Sequence, residues 1–401
     1  MGLTGGLSSS IDREHQFPVD YSYDYLNGGV KYLRLPTLKL NDQLQNLEFF
    51  NMRDQDREKG RSEHAIDIFP SQAGLPWATA IASCRQNKYW RVTVDTARVL
   101  LSLFAADESS QQIYKSRQSI AEIARAELAS NVEDGWVKFP VYLFTEGDKQ
   151  RTRLLAVVNV SILIFDDFWE MHNIDYFSEV QSLFVDRMRP GFQPNEQTRT
   201  PLQLLIDSAI NEIRSLDQES GNNAGEEMIN LMVRFFVRPA PPKDFSNMEE
   251  FLLYRHEDAA VPYVLGCTKF ALNSSVDLNS PRLERYIRLF KDHVSVANDL
   301  GSWAKEKKAY DTGKVIYMIN AVQVVKDLFR LPTDEAAVAM TQAFQLQIET
   351  GLDAEIQRLQ TEENLSADEW QFIDATLHVA SGNVFVSTVM SRYGGEGFRL
   401  A

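Results

Sequence analysis

Residues 154–170 read LLAVVNVSILIFDDFWE. The apolar run, Leu154 to Phe165, is too short to span a bilayer, which takes about 20 residues. It predicts a helix buried on all sides. The run ends in Asp166, Asp167 and Glu170. Asp166 and Glu170 are four apart and share one helix face, where like charges repel. Nothing basic follows at the next turn, which is Met171, His172, Asn173 and Ile174. Two readings are open: a solvated acidic cap on an exposed helix end, or a metal site. Acids near a helix C-terminus oppose the macrodipole, which weakens the first.

A second segment, VANDLGSWAKEKK (296–308), places Asn298, Ser302 and Glu306 four and four apart, along one slowly drifting helical stripe. An amide oxygen, a hydroxyl and a carboxylate are hard donors, the set Mg²⁺ prefers and completes with water and phosphate. An ordinary polar face explains each residue singly but not the coincidence. Two oxygen-donor sites from opposite halves of the chain suggest a shared metal cluster, bridged by diphosphate.

Outward from these segments the pattern is almost wholly helical from about Leu75. Apolar residues recur three and four apart in VTVDTARVLLSLFAA, IAEIARAEL, LLIDSAINEI and VIYMINAVQVVKDLF. Turn chemistry breaks the pattern at 187–201, 216–227, 237–246, 272–281 and 331–334, the last offering Thr333 or Asp334 as cap to a long helix running toward Thr361. The expectation is about ten to twelve helices in one all-α domain at 71–401. Residues 1–70 are expected to be an irregular N-terminal extension packing on that body.

Charge bounds the partners. The 401 residues carry 41 Lys and Arg against 56 Asp and Glu, a net charge of −15, which argues against nucleic acid and anionic membrane surfaces. Bound metal can still reverse the local sign of a carboxylate site. Cys84 and Cys267 read as buried small hydrophobes in a reducing compartment. No secretory signal pattern opens the sequence. The expectation is a soluble cytoplasmic protein, monomer or homodimer.

At the acidic segments the sequence resembles a class I terpene synthase of the fungal sesquiterpene cyclase kind. DDFWE matches the family's DDxx(D/E) motif, and NDLGSWAKE (298–306) matches (N/D)Dxx(S/T)xxxE, with Lys305 before the final Glu. YRHEDAA (254–260) supplies the diphosphate-sensing Arg255, the linker Asp258 and the small residue Ala259. SRYGGEG (391–397) supplies the C-terminal pair Arg392 and Tyr393. The resemblance covers roughly residues 75–401. It departs from the family pattern in ending the first motif with Glu and in the extension, which does not match a full second domain.

The resemblance implies an all-α class I terpenoid synthase bundle around an apolar active-site cavity, and a small-molecule prenyl diphosphate substrate. It implies Mg²⁺, three ions, held by Asp166, Glu170, Asn298, Ser302 and Glu306, with Asp167 orienting rather than ligating. Arg255, Lys305, Arg392 and Tyr393 would donate to the diphosphate. The implied reaction ionises farnesyl diphosphate and cyclises the carbocation to a sesquiterpene. Phe165, Trp169, Phe270, Trp303 and Phe385 lie near these helices and are read as core packing. The alternatives are a chain-elongating prenyl diphosphate synthase, which needs a second DDxxD, and a non-catalytic all-α interaction protein.

Overall fold

The computed structural model describes residues 63–111, 118–171 and 184–393, with the side chains of Glu170 and Met171 excepted. Most of the expected extension, residues 1–62, lies outside the described residues.

The described residues open on an antiparallel hairpin, β1 (Ala65–Ile68) against β2 (Cys84–Asn87), with Ala65 opposite Asn87. The sequence pattern predicts neither strand. Arg85 pairs across the hairpin with Asp67 at 3.0 Å and ties it to the body through Glu146 and Asp374 at 2.9 and 2.7 Å. The helical body follows: α1 (Trp90–Ala106), α2 (Ile120–Ala129), α3 (Lys138–Leu143), α4 (Lys149–Met171), α5 (Pro201–Ser220) and α6 (Ala224–Phe236). Then come α7 (Met248–Asp258), α8 (Val261–Leu272), α9 (Glu284–Asp311), α10 (Ala321–Leu328), α11 (Asp334–Glu362) and α12 (Ala367–Val389). A 3₁₀ turn, Ser391–Tyr393, closes the described chain.

Local signals set the boundaries. Thr200 and Gln203 form a capping box before Pro201, and α5 ends at Gly221 in the left-handed conformation, φ 69°. Thr333 caps α11, as the LPTD segment suggests. Ser366 and Glu369 form the box that starts α12. The run at 154–165 sits inside α4 with Leu154, Leu155, Val157, Val158, Val160, Ile162, Ile164 and Phe165 all buried. Each such side chain contributes about 1.5–3 kcal/mol by leaving water, so a helix lined this way all round belongs at the centre. Gly301, inside the second acidic segment, lets α9 approach α12: a Cβ there would fall 2.3 Å from the Ser387 Cβ.

One helical expectation is too long. VIYMINAVQVVKDLF reads as one helix from 315, but only Ala321–Leu328 is helical. Asn320 ends the pattern: its side chain accepts from the Val322 amide as N-cap and donates to Asp299 O and Glu306 Oε2, both at 2.9 Å. Its bonds to α9 fix the preceding segment as a loop. Among the described residues no helix is long and apolar enough to cross a membrane.

Glu349 of α11 anchors the segment after β1 to the body. It accepts from Thr79 Oγ1 at 2.7 Å, the Ala80 amide at 2.6 Å and Gln345 Nε2 at 3.0 Å, with His293 Nε2 at 2.8 Å. Burial would raise its carboxyl, but the bond and charge of His293, then Ala80 and Gln345, outweigh this and hold it below the usual range. A depressed carboxylate contributes stability above its unfolded value, about pH 4.3, and loses it as the pH falls through the native value. Glu349→Ala is expected to cost about 3–5 kcal/mol near neutral pH. Urea midpoints should show the gap to wild type closing in acid.

Candidate active site

The four segments that the sequence singles out converge on one cavity of about 580 Å³. Helix α4 supplies Asp166 and Asp167, with Ile162, Leu163 and Asn159 one and two turns earlier on the same wall. Helix α7 and the break after it supply Arg255, Asp258, Ala259 and Ala260. Helix α9 supplies Asn298, Lys305 and Glu306, and the terminal 3₁₀ turn supplies Arg392 and Tyr393. Glu170 is on α4 too, but its side chain lies outside the described residues.

The break between α7 and α8 is strained. Ala260 holds φ 54°, in the left-handed region, ahead of Val261 and Pro262, which start the next helix. For a residue with a Cβ this costs of order 1 kcal/mol or more, and such strain gathers at functional sites.

Charges knit the segments together. The buried Arg255 guanidinium reaches Asp299 Oδ1 from Nε at 2.9 Å and Nη2 at 2.7 Å, and Asp258 Oδ2 from Nη1 at 2.5 Å. Its Nη2 is 3.4 Å from Asn298 Oδ1. Asp299 Oδ2 accepts from the Ala321 amide at 2.6 Å, so α9 and the start of α10 are joined through it. Burial disfavours the Arg255 charge, but Asp299, Asp258 and Glu306 outweigh it and hold the guanidinium more firmly protonated than usual. Arg392 donates to Asp167, linking the C-terminal pair to the first acidic segment.

The adjacent Asp166 and Asp167 diverge. Burial pushes the Asp166 carboxyl up, opposed by Arg238 and reinforced by Asp258 and Asp167. For Asp167 burial acts the same way, but Arg392 and Lys305 outweigh it and hold the carboxyl below its usual range.

The donor stripe on α9 fits a hard cation. Ser302 is fully buried, and its hydroxyl oxygen has no hydrogen-bond partner among the described residues. A buried hydroxyl without a partner is costly, and one turn either side of it stand Asn298 and Glu306. Among the described residues no three His, Cys, Asp or Glu side chains form a metal cluster. The stripe is instead a mixed amide, hydroxyl and carboxylate set, suited to Mg²⁺.

Two participants escape the sequence reading. Arg238 lies in VRPAPPKDFS, which shows only as a break, yet it lines the cavity and bonds Asp166 and Asp258. No spacing marks it. Asn320 is hidden inside an apparently helical stretch. Of the aromatics read as core, Phe165, Phe270 and Phe385 are buried in the main core and Trp303 in a small second cluster. Trp169 is buried but also lines the cavity.

Residues 158–347, which span both acidic motifs, match the family model "Terpene synthase family 2, C-terminal metal binding". With the helical fold, this match supports a class I terpene synthase, a lyase-type enzyme. It is 25% identical over 344 residues to Terpene cyclase 6 of Gibberella fujikuroi, covering 84% of this chain and 88% of that protein. Among solved structures, aristolochene synthase from Penicillium roqueforti matches with a TM-score of 0.58 and 14% identity, covering 74% of this chain and 94% of that one. An α-eudesmol synthase matches at 0.54 and 13%, covering 75% and 94%. At these identities the structural likeness shows the fold.

Proposed function

We propose that this enzyme is a Mg²⁺-dependent sesquiterpene synthase that ionises farnesyl diphosphate and cyclises the resulting cation. We assign residues 71–401 to the catalytic unit. The observation that carries the reading is the meeting of α4, α7, α9 and the terminal turn on one largely apolar cavity with cationic donors among its carboxylates. Its volume, 580 Å³, falls in the range of pockets that enclose small ligands, about 300–1,000 Å³.

Asp166 and Glu170 would hold metal on α4, and Asn298, Ser302 and Glu306 on α9. Bound there, Mg²⁺ supplies Lewis-acid stabilisation of charge on a departing diphosphate. Arg255, Lys305, Arg392 and Tyr393 donate hydrogen bonds to that diphosphate, charge-assisted for the first three. Arg255 and Arg392 are bonded to carboxylates before any substrate arrives, so they are oriented in advance. Asp167 orients Arg392. Phe139, Leu143, Ile162 and Val264 line the cavity and keep water from the reactive carbon.

The test is one incubation of the protein with geranyl, farnesyl and geranylgeranyl diphosphates, with Mg²⁺ or with chelator. Products are read by gas chromatography and mass spectrometry. A volatile C15 hydrocarbon or alcohol, formed with Mg²⁺ only, is expected. With isopentenyl diphosphate added as the homoallylic partner, a longer prenyl diphosphate would make the protein a chain-elongating enzyme and overturn the cyclase reading.

A further inference from the structure

Arg238 sits two residues past the end of α6, followed at once by Pro239. The chain that leaves it is pinned: Tyr254 of α7 donates its hydroxyl to Pro239 O at 3.3 Å. The Arg238 side chain is 3% exposed. Its Nη2 donates to Asp166 Oδ1 at 2.7 Å and its Nε to Asp258 Oδ1 at 3.2 Å, while Nη1 lies 3.4 Å from Phe235 O. The guanidinium carbon stands 4.0 Å from the Trp169 ring centre and 3.9 Å from that of Phe235. One rigid cation therefore spans the first acid of α4 and the acid at the end of α7.

Asp258 passes the connection on. Its other oxygen accepts from Arg255, which holds Asp299 of α9. A continuous line of charged bonds, Asp166–Arg238–Asp258–Arg255–Asp299, joins the two acidic helices through the strained α7–α8 break. Every member but Asp166 is buried.

We propose that Arg238 is a positioning residue for metal binding: by bridging Asp166 and Asp258 it fixes the acidic end of α4 relative to the break after α7. This rests on the metal-dependent reading given above. The planar fork suits the task, since Lys offers a point charge that reaches one carboxylate but does not span two. Contact with the two rings further limits the orientations open to the guanidinium. Asp166 is thereby held in place before metal arrives, which lowers the cost of ordering it.

The experiment compares wild type, Arg238→Met and Arg238→Lys. Mg²⁺ is titrated with inorganic pyrophosphate present, followed by melting temperature and by calorimetry, and KM for farnesyl diphosphate is measured at saturating Mg²⁺. Losing a residue that supports a ligand from behind typically weakens metal binding about 10–100-fold, so Arg238→Met should need at least tenfold more Mg²⁺. Arg238→Lys should fall between. KM at saturating Mg²⁺ should stay within about threefold of wild type.

A Mg²⁺ requirement unchanged or lowered in Arg238→Met would overturn the proposal, because the guanidinium would then be only a counter-ion competing with metal. A raised KM at saturating Mg²⁺ with an unchanged metal requirement would also overturn it, placing Arg238 on the diphosphate itself. If Arg238→Met does not fold, Arg238→Lys decides by the same criterion. Wild type that binds Mg²⁺ and pyrophosphate but converts no prenyl diphosphate sinks the cyclase reading alone, and the binding data still decide on Arg238. No Mg²⁺-dependent protection in wild type sinks both.

Discussion

Arg255→Met is expected to lower kcat by about 10³-fold, the upper range for removing one preorganised donor aimed at developing charge. Arg255 draws bonds from two helices at once, Asp258 on its own and Asn298 and Asp299 on α9. Its removal leaves the buried Asp258 and Asp299 without this cation, and breaking a buried pair from one side costs about 3–5 kcal/mol. Stability should therefore fall together with rate. Arg255→Lys separates the two effects. It keeps the charge but forfeits the fork that meets Asp299 through both Nε and Nη2. Melting curves should show Arg255→Lys nearer to wild type than Arg255→Met, while single-turnover rates keep it at least about tenfold below wild type. Full activity in Arg255→Lys would mean that the network is scaffolding rather than part of the chemistry.

The second large effect concerns the α9 stripe. Asn298→Ala combined with Ser302→Ala should abolish measurable turnover, a loss of at least about 10³-fold, as should chelation of the divalent ion. The single variant Ser302→Ala makes the sharper test. Removing a buried hydroxyl that has no partner should leave the metal-free protein as stable as wild type, or slightly more stable. The same change should raise the Mg²⁺ needed for half-maximal activity on the order of 10–100-fold. Thermal melting in chelator and a Mg²⁺ titration of rate read the two halves separately. A Ser302→Ala enzyme with an unchanged metal requirement would remove the hydroxyl from the ligand set and leave it a packing feature of α9.

The central buried helix and both acidic segments were legible because they are local. An apolar run without a polar side has nowhere to go but the core, and residues three or four apart on a helix share a face whatever surrounds them. The cap at Thr333 was legible for the same reason. The hairpin was not. AIDI and CRQN carry no strand pattern of their own, and β2 is tied to the body by contacts Arg85 makes far along the chain. The loop at 315–320 was misread as helix because Asn320 acts through bonds to α9 that periodicity does not register.

The same division runs through the site. Sequence by itself determined the hard-oxygen character of its acidic segments, since this follows from residue type and helical spacing, and the order of its motifs carried the resemblance to a family. Only the tertiary structure decided how the segments meet: that Arg392 reaches Asp167, that Arg255 binds the second segment through Asp299, and that Arg238 spans Asp166 and Asp258. Asp166 and Arg238 are 72 residues apart. Bonds across such distances depend on how helices pack, and packing is set by the whole core rather than by any window of the chain.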